Sequence, residues 1–92
     1  MIQSFKCKDT LAVYGGKNPR RFRAFATIAE RKLALLDAAQ TLAFLRAPPG
    51  NRLEALKGGR KGQHSIRIND QWRICFVWTA VGPKDVEIVD YH

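Results

Sequence analysis

The stretch that most restricts the fold is WRICFVWT, residues 72–79. Here Trp72, Ile74, Phe76 and Trp78 alternate with Arg73, Cys75, Val77 and Thr79. A period of two sends successive side chains to opposite faces of a strand, so this segment is a strand with one apolar face. Ile66 and Ile68 alternate in the same way just before it, and VEIVDY, residues 86–91, follows it. Asn69-Asp70-Gln71 predicts a tight connection between the first two strands, and Gly82-Pro83 predicts another before the third. Links this short join only antiparallel neighbours, so the second half of the chain is an antiparallel meander.

Before the two prolines at 48 and 49 the period is different. Phe22, Ala26, Ala29, Leu33 and Leu36 recur every three or four residues, and Phe25, Ile28, Leu35 and Ala39 widen that stripe. This spacing predicts a well-covered helix from Pro19 to about Ala39, with Asn18 as its N-cap and Pro19 at its first position. Thr41–Arg46 adds a short helix that the prolines end. Nearer the start, MIQSF predicts a strand and CKDTLAVY one or two helical turns stopped by Gly15-Gly16. Helices early and strands late make an α+β chain, with an N-terminal strand and two to three helices packed on one face of the sheet. At 92 residues, and without a repeat or a linker, residues 1–92 form one expected domain.

Strand parity then says what the other face carries. If Ile66, Ile68, Trp72, Ile74, Phe76, Val86 and Ile88 meet the helices, Arg67, Arg73 and Tyr91 point away from them, with Cys75, Val77 and Val89. The segment NRLEALKGGRKGQHS leads into that sheet and sets Lys57, Arg60 and Lys61 among three glycines. From Arg46 to Arg73, counting both, there are seven basic residues and only Glu54 and Asp70 as acids. Sixteen Lys and Arg against eight Asp and Glu give +8 overall, so the expected partner is a polyanion bound in a salt-dependent way. Nucleic acid fits better than a membrane surface, because no apolar run is long enough to span a bilayer and no basic amphipathic helix stands out. The first residues lack a signal peptide's apolar run, so the cytoplasm is the expected location, where Cys7 and Cys75 stay reduced.

Several chemistries lack their parts. No Cys or His cluster has metal-ligand spacing, and there is no phosphate-binding loop, dinucleotide fingerprint or nucleophile elbow, so no metal or cofactor is expected. Metal-independent cleavage of RNA does find its parts. It needs a base for the ribose 2′-OH, cations for the charged phosphorane and an acid for the departing 5′-oxygen. Arg and Lys suit the cationic role, and Glu54, Asp90, Tyr91 and His92 are the available proton carriers.

RLEALKG, the run GQHSIRINDQWRICF and the terminal VEIVDYH resemble HigB-type toxins of the RelE superfamily, closest to the GraT-like branch. The resemblance implies a compact RelE-like domain and a ribosome-dependent mRNA endonuclease that cuts the codon exposed in the ribosomal A site. It further implies a HigA-like helix-turn-helix antitoxin, through which the pair would bind operator DNA indirectly. By position Lys57 and Arg73 match the family's basic active-site residues, with Arg67 close to another, and Asp90, Tyr91 and His92 match its terminal triplet. Some members carry histidine where this chain has Glu54, which leaves base and acid unassigned among Glu54, Tyr91 and His92. One division of roles gives Lys57, Arg67 and Arg73 the charge stabilisation and the other three the protons.

Arg60 and Lys61 beside the site, and Arg20, Arg21 and Arg23 in the GGKNPRRFR loop, are candidate RNA contacts through backbone charge. His64 shares the parity of Ile66 and is expected to be structural or edge-exposed, and Trp72 and Trp78 are expected in the core. The rival reading is a non-catalytic RNA- or ribosome-binding module on the same face. A DNA-binding regulator ranks last, since the chain has no helix-turn-helix pattern.

Overall fold

A computed structural model describes residues 1–90. Its regular elements are α1 (Lys8–Tyr14), α2 (Ala26–Ala38), α3 (Leu42–Arg46), β1 (Glu54–Ala55), β2 (His64–Arg67), β3 (Trp72–Thr79) and β4 (Gly82–Asp90). Short 3₁₀ segments at Arg20–Phe25, Pro49–Asn51 and Gly58–Arg60 connect them. The four strands form one antiparallel sheet in the order β1-β2-β3-β4, a meander with no crossover.

Parity is obeyed on the helix side. Ile66, Ile74 and Phe76 are fully buried and Ile68 and Ile88 nearly so, against Phe22, Phe25, Ala29, Leu33 and Leu36, with Trp72 and Trp78 packed at the margin. Phe22 and Phe25 bracket Trp72, with ring centroids 5.5 and 5.1 Å from it. At about 25 cal/mol per Å² of apolar surface removed from water, this layer is the main stabilising term.

Local signals hold in several places. Gly15 closes α1 by donating to Leu11 O, and Gly16 takes a positive φ of 86°. Thr41 caps α3, its Oγ1 accepting from Phe44 N–H at 3.2 Å. Asn69 turns β2 into β3, its Oδ1 accepting from the N–H groups of Gln71 and Trp72.

Five expectations are corrected. The single helix from Pro19 is two pieces, because Phe25 leaves helical geometry (φ −131°, ψ 18°) between the 3₁₀ turn and α2. That break lets Phe22 and Phe25 both reach Trp72. Pro19 is extended (ψ 143°) and precedes the turn, so Asn18 caps nothing there, and Ile28 is 42% exposed. The turn between β3 and β4 is Ala80-Val81, with Gly82 and Pro83 already paired to Thr79 and Trp78. The N-terminal segment is not a strand but a single parallel bridge, Phe5 to Val86. The reason lies in β4. Between the Cys75–Glu87 and Val77–Lys84 pairs β4 carries one residue more than β3, and Asp85 is left-handed (φ 53°). Its N–H turns to Ser4 Oγ, so the ladder beside it is interrupted. The fourth strand is instead β1, two residues long.

Candidate active site on the outer sheet face

Register assembles the face away from the helices. Glu54, Ser65, Cys75 and Glu87 lie opposite one another across all four strands, and Arg67, Arg73 and Val89 form the next row. Opposed residues of antiparallel strands share a face, so Arg67 and Arg73 stand side by side, a pairing that is repulsive unless oxygens are supplied.

Oxygens are supplied to each. Arg73 is the more enclosed, its side chain 12% exposed. Its Nε donates to Ser65 Oγ at 2.7 Å, and its Nη2 donates to the Arg52 carbonyl at 2.6 Å and reaches the Ser65 carbonyl at 3.5 Å. Glu54 Oε1 stands 3.7 Å from the same Nη2. Arg67 is paired with Asp70 at 2.5 Å, and that carboxylate lies almost wholly in solvent. Ion pairs with so exposed a partner are weak, so an incoming phosphate can displace Asp70.

The face is less uniformly basic than its arginines suggest. Arg60 donates to Glu87 at 2.9 Å and to Gln63 at 3.1 Å, bringing the Gly58–Arg60 turn against the sheet. Beneath these groups Cys75 is fully buried as a free thiol. Burial pushes its pKa above the ordinary 9.0, with Arg60 and Arg73 opposing and Glu87 and Glu54 adding to the rise. Lys57 and Lys61 stand exposed on either side of the turn.

Other candidates lie elsewhere. Asp90 is in register with Trp72, on the helix-side parity, and accepts from Gln71 Nε2 at 3.0 Å. Arg20, Arg21 and Arg23 stand exposed on the turn that packs against Trp72, so they flank the helix layer and not the Arg67–Arg73 face. Arg21 lies over the Phe22 ring at 4.5 Å and within 3.8 Å of Asp9. His64 is in register with Phe76 and lies on the helix side, as parity requires. Its buried Nδ1 has no hydrogen-bond partner among the described residues. Tyr91 and His92 lie outside the described residues. Among the described residues no group of three or more His, Cys, Asp or Glu is arranged to hold a metal ion. No helix among them is long and apolar enough to cross a membrane.

Sequence reasoning overlooked Glu87, Ser65, Arg52 and Lys32. Parity alone would have found Glu87, which alternates with Val86 and Ile88. Lys32 stands on α2, where burial first, then the nearby charges of Arg67 and Arg31, lower its pKa below the ordinary 10.5. The Arg52 contribution is a main-chain carbonyl, which no side-chain pattern marks.

Comparison with known proteins bears on this arrangement. A family model described as "RelE-like toxin of type II toxin-antitoxin system HigB" matches residues 15–92. The chain belongs to the HigB-like toxin family. Among curated proteins it is 58% identical over 48 residues to Toxin HigB-1 of Vibrio cholerae serotype O1, a match covering 52% of this chain and 50% of that protein. It is also 37% identical over 49 residues to an uncharacterized protein of Haemophilus influenzae, covering 53% of this chain and 48% of that one. The chain thus spans about half the length of the curated relatives it matches. Its three helices and four-stranded antiparallel sheet are consistent with a RelE-like fold. The residues of the Arg67–Arg73 face all fall within the HigB-like match, whereas α1 precedes it.

Proposed function

We propose that this chain is a ribosome-dependent mRNA endonuclease, the toxin of a type II toxin–antitoxin pair that stops translation by cutting mRNA in the ribosomal A site. The observation that carries the reading is the pair of guanidiniums at Arg67 and Arg73, opposed in register on a helix-free face, with the Glu54 carboxylate beside Arg73.

In this reading a phosphodiester lies across the arginine pair. A base takes the ribose 2′ proton, the 2′-oxygen attacks phosphorus, and charge grows on the non-bridging oxygens. Preorganised donors aimed at that charge are the largest catalytic term such a site can supply. Arg73 is suited to it because its planar fork is already oriented, and Arg67 because its exposed partner is easily displaced. Lys57 adds a third cation from the adjoining turn. Glu54 serves as the base; its side chain is 47% exposed, which supports access by substrate. Protonation of the departing 5′-oxygen falls to Tyr91 or His92, with Asp90 completing the terminal triplet. Arg60 and Lys61, and on the helix side Arg20, Arg21 and Arg23, hold ribosomal RNA or message through backbone charge. The cognate partner is a HigA-like helix-turn-helix antitoxin that links the toxin to operator DNA. Residues 1–92 act as one cytoplasmic domain without metal or cofactor.

The test is cleavage of a defined mRNA on programmed 70S ribosomes by wild type, Arg73→Ala and a chain lacking His92, with a ribosome-free control. Cutting should require ribosomes and fall by about 100-fold or more in Arg73→Ala. Loss of cutting without His92 would make the terminus catalytic. Intact mRNA with the protein still bound would replace this reading by the non-catalytic binding module.

A further inference from the structure

The guanidinium of Arg73 is held from two sides by unlike supports. On one side is Ser65, its diagonal neighbour on β2, through Oγ at 2.7 Å and the carbonyl at 3.5 Å. On the other is the main-chain carbonyl of Arg52, at 2.6 Å, from a residue that belongs to no strand.

Arg52 has an unusual backbone. It is left-handed, φ 45° and ψ 53°, a conformation in which a residue with a β-carbon is strained and which glycine adopts freely. Such strain persists only where the surroundings impose it. Here Asn51 imposes it. Asn51 is fully buried, donates from Nδ2 to Leu45 O at 3.1 Å and accepts from Lys32 Nζ. Its own N–H closes the 3₁₀ turn on Pro48 O at 3.0 Å. The peptide leaving Asn51 is therefore fixed to α2 and α3 before the chain reverses at Arg52 toward β1. The reversal aims the Arg52 carbonyl at Arg73, and two residues later the chain delivers Glu54 opposite Ser65.

We infer that Asn51-Arg52 is a positioning device for Arg73: the buried Asn51 amide locks a left-handed residue at 52, whose carbonyl orients the guanidinium. Arg52 acts through its backbone and not its charge. The inference rests on the reading of Arg73 above for its catalytic consequence, but not for the contact itself.

Arg52→Val and Arg52→Gly separate backbone from side chain, since both remove the Arg52 charge and only valine resists a positive φ. Position 52 is exposed, so neither change opens the core. Two readouts are taken on the full chain. The first is the set of Arg73 guanidinium N–H resonances in ¹⁵N-edited NMR, assigned by their disappearance in Arg73→Lys, with the solvent exchange of the Nη2–H that donates to Arg52 O. The second is single-turnover mRNA cleavage on programmed ribosomes across a range of ribosome concentrations.

Arg52→Val should speed Nη2–H exchange and cut the saturated cleavage rate by about 10- to 100-fold, the scale of loss when a reacting group is misplaced. Its half-saturating ribosome concentration should stay within roughly twofold, because orientation and not docking has changed. Arg52→Gly should restore both readouts toward wild type. Equal behaviour of the two variants in both readouts would overturn the inference. Faster exchange in Arg52→Val alone, with no cleavage even by wild type, would overturn the nuclease reading and uphold the positioning contact.

Discussion

The two faces of one sheet are held by different physics. Along β3, Ile74 and Phe76 belong to a dry layer in which contacts are many and no single partner is special. Arg73 and Cys75, one residue away on the same strand, belong to a layer in which named oxygens fix named nitrogens. The inner face tolerates imprecision in chemistry and punishes lost volume. The outer face does the reverse. A strand with a period of two can thus serve stability and chemistry independently, provided the second face has its own supports.

Three measurements sharpen that contrast, the largest effect first. Phe76→Ala should cost about 3–5 kcal/mol of unfolding free energy, as a fully buried aromatic leaves a cavity, while the folded fraction keeps its cleavage rate. Denaturant unfolding paired with cleavage per folded molecule checks this, and a matching loss of intrinsic rate would join the two faces into one unit. The next effect is smaller and depends on pH. Because burial raises the Cys75 pKa, the folded state holds that proton more tightly than the unfolded chain. The stabilisation is therefore complete below pH 9.0, the ordinary thiol value, and is lost as pH climbs above it toward the raised value. Cys75→Ala should remove that decline, seen as a flatter curve of unfolding free energy against alkaline pH; identical slopes would show that the thiol is not protected. The smallest effect on stability belongs to Arg67→Gln. With Asp70 in open solvent, thermal melting should be unmoved, although cleavage falls and loses part of its salt dependence. A clear drop in melting temperature would make Arg67 a structural residue.

How much of this was legible in the sequence follows the same division. Parity along WRICFVWT and HSIRIN placed the core and set Arg67 with Arg73 on the outer face, because a strand's period is a local property. Gly15-Gly16 and Thr41 announced helix ends for equally local reasons. The two-residue β1 carried no periodicity to detect, and the break at Phe25 depends on Trp72, far along the chain. The support of Arg73 was least visible of all. It joins Lys32, Leu45 and Asn51 to a carbonyl at 52, and carbonyls are identical in every residue. Glu87 is different, since parity offered it and a basic face drew attention elsewhere.

The bridge between Phe5 and Val86 has a consequence for how the molecule comes into being. Ser4 and Asp85 touch across 81 positions, so the segment around Ser4 is made well before its partner exists. Helices α1 to α3 emerge before β4, but β4 must be in place before the N-terminal segment can dock, with Gln3 N–H on Pro83 O and Met1 close against Gly82. Contacts of such long sequence separation are slow to find. A nascent chain halted before β4 would therefore already carry Arg67, Arg73 and the Ser65, Arg52 and Glu54 oxygens around them, but would lack Glu87 and Val89 and leave the N-terminal segment with no strand to dock on.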